Sequence, residues 1–142
     1  MNGDFADWVT RTLARGVDSP SHTVLVVDDD SAIRFLCRVN LELDGWIVRE
    51  AATVAQAREE LAGGGTDLVL LDIHVGSDSG VDFLAELRRR HPDVPVAMLT
   101  GSAGSPELEG IEADAVIAKP FTLEQLTGTV RSLASRAAQK AG

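Results

Sequence analysis

The sequence predicts an α/β domain in which a five-stranded parallel sheet carries helices on both of its faces. Strand and helix patterns alternate five times from Thr23 onward, and repeated units of this length are typical of parallel strands joined by helical crossovers. Four short aliphatic runs lack polar alternation, as expected of strands buried on both faces, and lie at residues 24–27, 68–71, 96–99 and 116–118. Together these observations predict a doubly wound sheet.

The first half of the domain is predicted to contain three strands and two helices. Strand one covers Thr23–Val27 and helix one covers Ser31–Leu43, with inward-facing residues Ile33, Leu36, Cys37 and Leu41. Gly45 ends this helix, and strand two follows at residues 46–50. Helix two is predicted at residues 53–62, before three consecutive glycines, and strand three at residues 67–71.

The second half adds two strands and two helices. A polar loop at residues 73–79 leads into helix three at residues 81–90, which ends before His91 and Pro92. Strand four is predicted at residues 95–99, strand five at Ala115–Ala118 and the last helix at residues 122–138. Five strands in this alternation fit the flavodoxin-like order 2-1-3-4-5, whose ligand crevice lies between strands one and three.

The first 22 residues are predicted to form an amphipathic helix and a linker, ahead of a domain at residues 23–138 and a tail at residues 139–142. Phe5, Trp8, Val9 and Leu13 recur at helical spacing, and turn-like residues follow at 18–21. One hypothesis is that this helix docks on an apolar groove, left open by a short connection before strand five, or on a second subunit in a homodimer. The alternative is a loosely ordered extension.

Composition and charge exclude several classes of protein. The 142 residues, 44% hydrophobic and 25% charged, are ordinary for one globular domain. A formal net charge of −9 argues against nucleic-acid binding, which needs a basic stripe to neutralise phosphates. The sequence has neither an apolar stretch long enough to span a membrane nor a secretory signal, which predicts a cytoplasmic protein. The single cysteine, Cys37, leaves no disulfide or thiolate metal centre.

Polar side chains follow the aliphatic runs where the strands are predicted to end. Asp28 and Asp29 follow strand one, Asp72 follows strand three, Thr100 follows strand four and Lys119 follows strand five. Because the carboxyl ends of parallel strands meet at one edge of a sheet, these side chains are expected to converge in the crevice. Three carboxylates, a hydroxyl and an ammonium group together predict a site for a cation and a phosphoryl group.

The three aspartates point to a hard divalent cation. Carboxylates held together repel one another, and Mg²⁺ or Mn²⁺ relieves that repulsion, with water and a loop carbonyl completing the coordination. Asp30 or Ser31 is the expected N-cap of helix one, which leaves Asp28 and Asp29 for the metal. Each of these residues alone also has an ordinary structural explanation. The aspartates could be an acidic run on the surface, Lys119 a solvated lysine and Thr100 a threonine that ends a strand. Their joint placement favours the site.

At these residues the chain resembles the receiver domain of two-component response regulators. The matching segments are Val-Val-Asp-Asp-Asp at 26–30, Asp-Leu-Val-Leu-Leu-Asp-Ile at 67–73, Met-Leu-Thr-Gly at 98–101 and Ala-Lys-Pro-Phe at 118–121. By that resemblance Asp72 would be the phosphoacceptor. The Mg²⁺ ligands would be Asp28, Asp29, Asp72 and the backbone carbonyl of His74. Phosphoryl oxygens would be bound by Thr100 and Lys119, and the bond from Lys119 to Pro120 would be cis.

The resemblance also implies a function. The phosphoryl donor would be a phosphohistidine on a sensor histidine kinase or a histidine phosphotransfer protein, and the recipient of the signal would be a downstream protein. With no output domain after the last helix, the chain is expected to be a single-domain response regulator that is not an enzyme and binds neither nucleic acid nor membrane.

Two features depart from the family pattern. Val116 stands where the family usually has an aromatic residue, and residues 101–106 leave room for a helix of only one or two turns at residues 106–112. These departures keep open a pseudo-receiver, which would be an interaction module without phosphotransfer. A third alternative is a small phosphatase built on Asp28 and Asp30, but Ala32 does not fit that motif.

Overall fold

The structure, a computed structural model, describes residues 22–101, 106–108 and 110–141. Along the chain its elements are β1 (Thr23–Val27), α1 (Ser31–Leu43), β2 (Ile47–Ala51), α2 (Val54–Ala62), β3 (Leu68–Asp72), β4 (His74–Val75), β5 (Asp78–Ser79), α3 (Gly80–Arg90), β6 (Val96–Thr100), a 3₁₀ turn (Pro106–Leu108), β7 (Ala115–Ala118) and α4 (Leu123–Ala141). Five of the strands form one parallel sheet in the order β2-β1-β3-β6-β7. This confirms the predicted fold class and strand order.

The sheet is buried on both faces because alternate residues of each strand point to opposite sides. On one side Leu25 and Met98 belong to a cluster that includes buried residues of α2 and α3. On the other side Val26 and Leu99 pack with buried residues of α1 and α4. The three central strands, β1, β3 and β6, are therefore apolar except at their ends, and the sequence shows them as unbroken aliphatic runs. The edge strand β2 carries Arg49 and Glu50, and Val116 of the other edge strand, β7, is exposed, so the expectation that residues 116–118 are buried on both faces was wrong.

Helix α1 differs from the prediction on one face. Cys37 and Leu41 are buried as expected, whereas Leu36 is 38% exposed. The helix carries more apolar residues than its sheet-facing side can bury, so apolar spacing assigned Leu36 to the wrong side.

Two further predictions for α1 concern Cys37 and the N-cap. Burial, with a smaller contribution from Asp28, raises the pKa of the Cys37 thiol to about 12, which makes it an inert core residue. Asp30 is the N-cap, as predicted, and its carboxylate accepts the N–H groups of residues 32 and 33.

The predicted polar loop after β3 contains a small antiparallel hairpin, which the sequence did not predict. Its two strands pair His74 with Ser79 and Val75 with Asp78, and Gly76 adopts a φ of 64° between them. Val75 is buried in the core. Strands of two residues are too short to show the alternation that identifies a strand in a sequence.

The connection between β6 and β7 contains a single 3₁₀ turn among its described residues, in agreement with the shorter of the predicted lengths. Arg88 of α3 holds the end of this connection that precedes β7. Its Nη2 donates to the carbonyl of Glu112 and to Oδ2 of Asp114, both at 2.7 Å. Leu108 and Ile111 pack against the core from this connection. Side-chain packing and one arginine thus perform the covering role expected of a longer helix.

The chain enters the described structure at His22, whose carbonyl accepts the N–H of Ile47 at 2.9 Å. The predicted amphipathic helix, and the homodimer hypothesised through it, fall on residues 1–21, outside the described part of the chain. Among the described helices, none combines the length and the apolar character needed to cross a bilayer.

Candidate functional site

The polar residues at the strand ends meet at the carboxyl edge of the sheet. Asp28 follows β1 and is fully buried, Asp72 ends β3 and is partly buried, and Asp29 is exposed. Carboxylate oxygens of these three residues all lie within 4.8 Å of one another. The sequence prediction of an acidic cluster in this crevice is confirmed in its geometry.

Lys119 reaches across the crevice into this cluster. Its Nζ lies 2.8 Å from Oδ2 of Asp28 and 3.4 Å from Oδ2 of Asp72. The residue follows β7 and is joined to Pro120 by a cis peptide bond, as expected. Its backbone N–H donates to the carbonyl of Thr100 at 2.6 Å, so the ends of β6 and β7 are held together at the site. The lysine is a fixed counter-charge and not a solvated side chain.

Thr100 and His74 lie at or just beyond the ends of the two neighbouring strands β6 and β3. Thr100 is the last residue of β6 and is buried, which places its hydroxyl at the same edge of the sheet. His74 opens the β4–β5 hairpin two residues after Asp72, and its side chain is exposed. The structure therefore brings Asp28, Asp29, Asp72 and Lys119 together, with Thr100 at the same edge of the sheet and His74 two residues beyond Asp72.

Asp28 is the most firmly held member of the cluster. Besides the contact with Lys119, its Oδ1 accepts the backbone N–H of Asp30 at 2.9 Å, and its own N–H donates to the carbonyl of Ala51 at 3.1 Å. Arg34 donates from Nη1 to the Asp28 carbonyl at 2.7 Å, a contact that the sequence reasoning missed. The only sequence signal for Arg34 is a charged residue in the first turn of α1, next to the buried face.

The site carries an excess of negative charge. Burial raises the pKa of the Asp72 carboxyl, the charge of Asp28 raises it further, and Lys119 opposes both effects. Burial lowers the pKa of Lys119, but the hydrogen bond and charge of Asp28, with the charge of Asp72, raise it to a net value above the ordinary one. One ammonium group thus faces three carboxylates, and the balance is negative.

These residues fit a hard divalent cation. The cluster offers only carboxylate oxygens, the ligands that Mg²⁺ prefers, and they are already close enough together to share one ion. Burial is the main cause of the raised pKa of Asp72, and the charge of Asp28 adds a negative potential that a cation would neutralise. Asp28, Asp29 and Asp72 are the residues of this chain that would hold it.

Millimolar Mg²⁺ should therefore stabilise the protein against thermal unfolding. At a concentration 100 times the dissociation constant, binding to the folded state alone contributes about 3 kcal/mol. Asp29→Ala removes one exposed ligand and should gain much less from Mg²⁺, whereas Asp93→Ala, an exposed aspartate outside the cluster, should respond like the native protein. Melting curves with and without Mg²⁺ check this, and equal shifts in both variants would contradict the assignment.

Gly80 packs directly against the backbone of Asp72, a contact that was not predicted from the sequence. A Cβ at this position would lie 1.9 Å from the carbonyl oxygen of Asp72 and 2.8 Å from that of Ile73. The Gly80 N–H donates to the Ile73 carbonyl at 2.5 Å, so the start of α3 is pressed against the end of β3. Only glycine, which has no Cβ, allows the two backbones to approach this closely, and such a contact cannot be inferred from the neighbouring residues in the sequence.

Gly80→Ala should displace the backbone of Asp72 and disturb the acidic cluster. We expect a loss of about 2 kcal/mol in unfolding free energy, since backbone atoms cannot move aside as a side chain can, and a weaker response to Mg²⁺. Gly128→Ala is the matched control, because open space surrounds Gly128 on α4 and alanine there should stabilise by up to about 1 kcal/mol. Denaturant unfolding of both variants measures the difference, and a native-like Gly80→Ala would refute the contact.

Comparisons with known proteins agree with this geometry. Residues 24–131 match the family model for the response regulator receiver domain, and the chain therefore belongs to the receiver domains of two-component response regulators. In solved structures it is similar to a CheY-like receiver domain protein from Methanospirillum hungatei, with a TM-score of 0.80 and 26% identity over 85% of this chain and 99% of that one. It is also similar to CheY4 of Vibrio cholerae, with a TM-score of 0.73 and 27% identity over 80% of this chain and 99% of that one.

Curated relatives place the same domain inside longer proteins. The chain is 37% identical to part of the sensor kinase CckA of Brucella abortus, over 81% of this chain and 13% of that protein. It is 33% identical to the probable transcriptional regulatory protein TcrX of Mycobacterium tuberculosis, over 86% of this chain and 53% of that protein. The chain thus spans about half the length of TcrX and a small part of CckA.

Proposed function

We propose that this chain accepts a phosphoryl group on Asp72 from a phosphohistidine and conveys the signal to a protein partner. The observation that carries the proposal is the position of the Asp72 carboxylate, at the end of β3 with Lys119 Nζ 3.4 Å away and two further aspartates beside it. A carboxylate nucleophile beside a cation site and a fixed ammonium group is the arrangement that phosphoryl transfer requires.

In the proposed reaction an Asp72 carboxylate oxygen attacks phosphorus in line with the leaving nitrogen. The bond from phosphorus to the donor imidazole breaks, its electron pair stays on the nitrogen, and an acyl phosphate forms on Asp72. Lys119 pairs with one phosphoryl oxygen and the Thr100 hydroxyl donates to another. Asp28, Asp29, Asp72 and the backbone carbonyl of His74 would hold Mg²⁺, which when bound would supply positive charge near the transferring oxygens. Water later hydrolyses the acyl phosphate and restores the carboxylate.

Phosphorylation is proposed to alter the β6–β7 edge of the domain. Lys119 holds Asp28 at 2.8 Å in the unmodified protein, and a phosphoryl group on Asp72 offers it a second, more highly charged partner. Because the Lys119 N–H is bonded to the Thr100 carbonyl, movement of either residue displaces the other. Such a movement biases a two-state equilibrium of the face formed by β7, α4 and the connection before β7.

Val116 gives that face an unusual surface. The side chain is 47% exposed on β7, where an aromatic residue usually stands in the family. This observation favours the second candidate, an interaction module that does not depend on phosphotransfer. The intact acidic cluster and the seated Lys119 favour the first, and the first is our conclusion.

The proposed partners follow from the reaction. The phosphoryl donor is a sensor histidine kinase or a histidine phosphotransfer protein, and a downstream protein recognises the modified face. We assign the receiver function to residues 23–138, with residues 1–22 and 139–142 outside it, and place the protein in the cytoplasm. The net charge of −9 disfavours nucleic acid as a direct target.

Incubation with a radiolabelled small phosphodonor tests phosphotransfer without a cognate kinase. The proposal expects a retained, base-labile label in Mg²⁺ and almost none in a chelator. A complete absence of label in Mg²⁺ would favour the interaction module, and rapid turnover without retained label would favour a phosphatase. Capture of partners on beryllofluoride-treated and untreated protein then identifies those that recognise the activated state.

A further inference from the structure

Helix α1 presents an apolar stripe to the outside of the domain. The stripe consists of four residues, Phe35, Leu36, Val39 and Leu43, which are 66%, 38%, 38% and 77% exposed. With 3.6 residues per turn, these four positions fall within an arc of about 100° on one side of the helix. They are four of the seven large hydrophobic residues exposed in the described part of the chain. A contiguous apolar face on a surface helix indicates that something covers it.

The chain enters the structure beside the C-terminal end of this α1 stripe. The His22 ring lies 5.5 Å from the Trp46 ring, and the His22 carbonyl accepts the N–H of Ile47. The backbone N–H of Trp46 in turn donates to the carbonyl of Leu41 in the last turn of α1, at 3.0 Å. His22, to which residues 1–21 are attached, therefore lies at the end of α1 where Leu43 is found.

The sequence of that departing segment repeats the pattern of the α1 stripe. Phe5, Val9 and Leu13 have the same residue types, at the same spacing of four, as the Phe, Val and Leu of the stripe, and Trp8 falls on the same side. A helix from residue 5 to residue 13 is about 12 Å long, which equals the length of the stripe. The eight residues between Leu13 and His22 can reach roughly 26 Å, enough for the segment to turn back along α1.

We propose that residues 5–13 form a helix that packs along the α1 stripe of the same molecule. The connection joins the C-terminal end of the segment to His22, at the C-terminal end of α1, so the two helices would run parallel with apolar faces of equal length in contact. The connection also gives the segment a high effective concentration at its own stripe, which favours docking in cis over docking on a second copy. The region beside the β6–β7 connection is a poorer place for the segment, because Leu108, Ile111 and Arg88 already cover the core there.

The indole of Trp8 provides a direct test in the full chain. Trp46→Phe leaves Trp8 as the single tryptophan, so its emission and its quenching by acrylamide report whether the segment is covered. Val39→Asp places a charge in the α1 stripe. Val116→Asp is the matched control, since it makes the same change at a similarly exposed valine on β7. Leu43→Asp, at the most exposed position of the stripe, is a second disrupting variant should Val39→Asp fail to fold.

In the Trp46→Phe protein, which is the background for the other variants, we expect blue-shifted, weakly quenched Trp8 emission that does not change with protein concentration. Val39→Asp and Leu43→Asp should shift the emission to the red, raise quenching several-fold and lower the melting temperature by roughly 5 °C, whereas Val116→Asp should leave Trp8 unchanged. Fully quenched Trp8 in every variant would show that the segment is undocked. An equal response to Val39→Asp and Val116→Asp would place it elsewhere, and shielding that grows with concentration would indicate a second copy. Each of these results would overturn the proposal.

Discussion

Asp72→Asn should abolish stable phosphorylation while leaving the fold intact. The amide has no nucleophilic carboxylate, and the other carboxylate that contacts Lys119 Nζ, that of Asp28, is fully buried. We expect no base-labile label from a small phosphodonor in Mg²⁺, against near-stoichiometric label on the native protein. Asp93→Asn, at an exposed aspartate away from the cluster, is the control and should be labelled normally. Full labelling of Asp72→Asn would show that another residue accepts the phosphoryl group.

The same variant should be more stable than the native protein when Mg²⁺ is absent. Because burial and Asp28 raise the pKa of Asp72 in the folded state, ionising this carboxyl opposes folding. The penalty is absent at pH values below the unfolded pKa and complete above the raised folded pKa, so native stability falls as pH rises through that interval. Asp72→Asn removes this pH dependence and should gain on the order of 1 kcal/mol at neutral pH, as is common when a functional site is relieved of strain. Denaturant unfolding across the pH range measures both effects.

Lys119→Ala should destabilise the protein strongly in a chelator and much less in Mg²⁺. The substitution leaves Asp28, which is fully buried, without the ammonium group 2.8 Å away, and an uncompensated buried charge costs about 3 kcal/mol. A bound cation restores positive charge to the cluster, so Mg²⁺ should recover most of the loss. Arg131→Ala is the control: it removes an exposed arginine from its ion pair with Asp44, away from the acidic cluster, and the expected loss is about 1 kcal/mol in either condition.

A second substitution separates the buried charge from other effects of Lys119→Ala. Adding Asp28→Asn removes the charge that Lys119 compensates, so the two changes together should cost clearly less than the sum of each alone. Additive losses, or a loss that Mg²⁺ does not reduce, would contradict the proposed electrostatic role.

Lys119→Ala should still be phosphorylated slowly, because the nucleophile, Asp72, remains. Its amide NMR spectrum should change less on phosphorylation than that of the native protein.

The fold was predictable because the three central strands of its sheet are buried on both faces. Residues 24–27 and 68–71 allow no polar side chain, and that requirement appears directly as unbroken aliphatic runs. The site was predictable for a related reason: parallel strands bring their carboxyl ends to one edge, so Asp28, Asp72 and Lys119 had to converge once the strand order was known. The contact between Lys119 and Asp28 follows from topology, although the two residues are 91 positions apart.

The features that were not predicted depend on close contacts between backbone atoms, or on how many apolar residues of a helix the sheet can cover. Gly80 matters because of the carbonyl of Asp72 behind it, and a glycine next to a helix start has no local pattern that reveals such a contact. The β4–β5 hairpin is held by two residue pairs, too few for periodicity. Leu36 was assigned inward because α1 has apolar residues on two sides, and spacing alone cannot say which side the sheet covers.

The most direct test of phosphoacceptance is to locate the modified residue chemically. Borohydride reduces an aspartyl phosphate to homoserine, and mass mapping of peptides from the reduced protein identifies the position. After treatment with a small phosphodonor and Mg²⁺, we expect homoserine at position 72 and none at Asp28, Asp29 or Asp30. Homoserine at one of those three positions instead, or unmodified peptides throughout, would contradict the assignment of Asp72 as the phosphoacceptor.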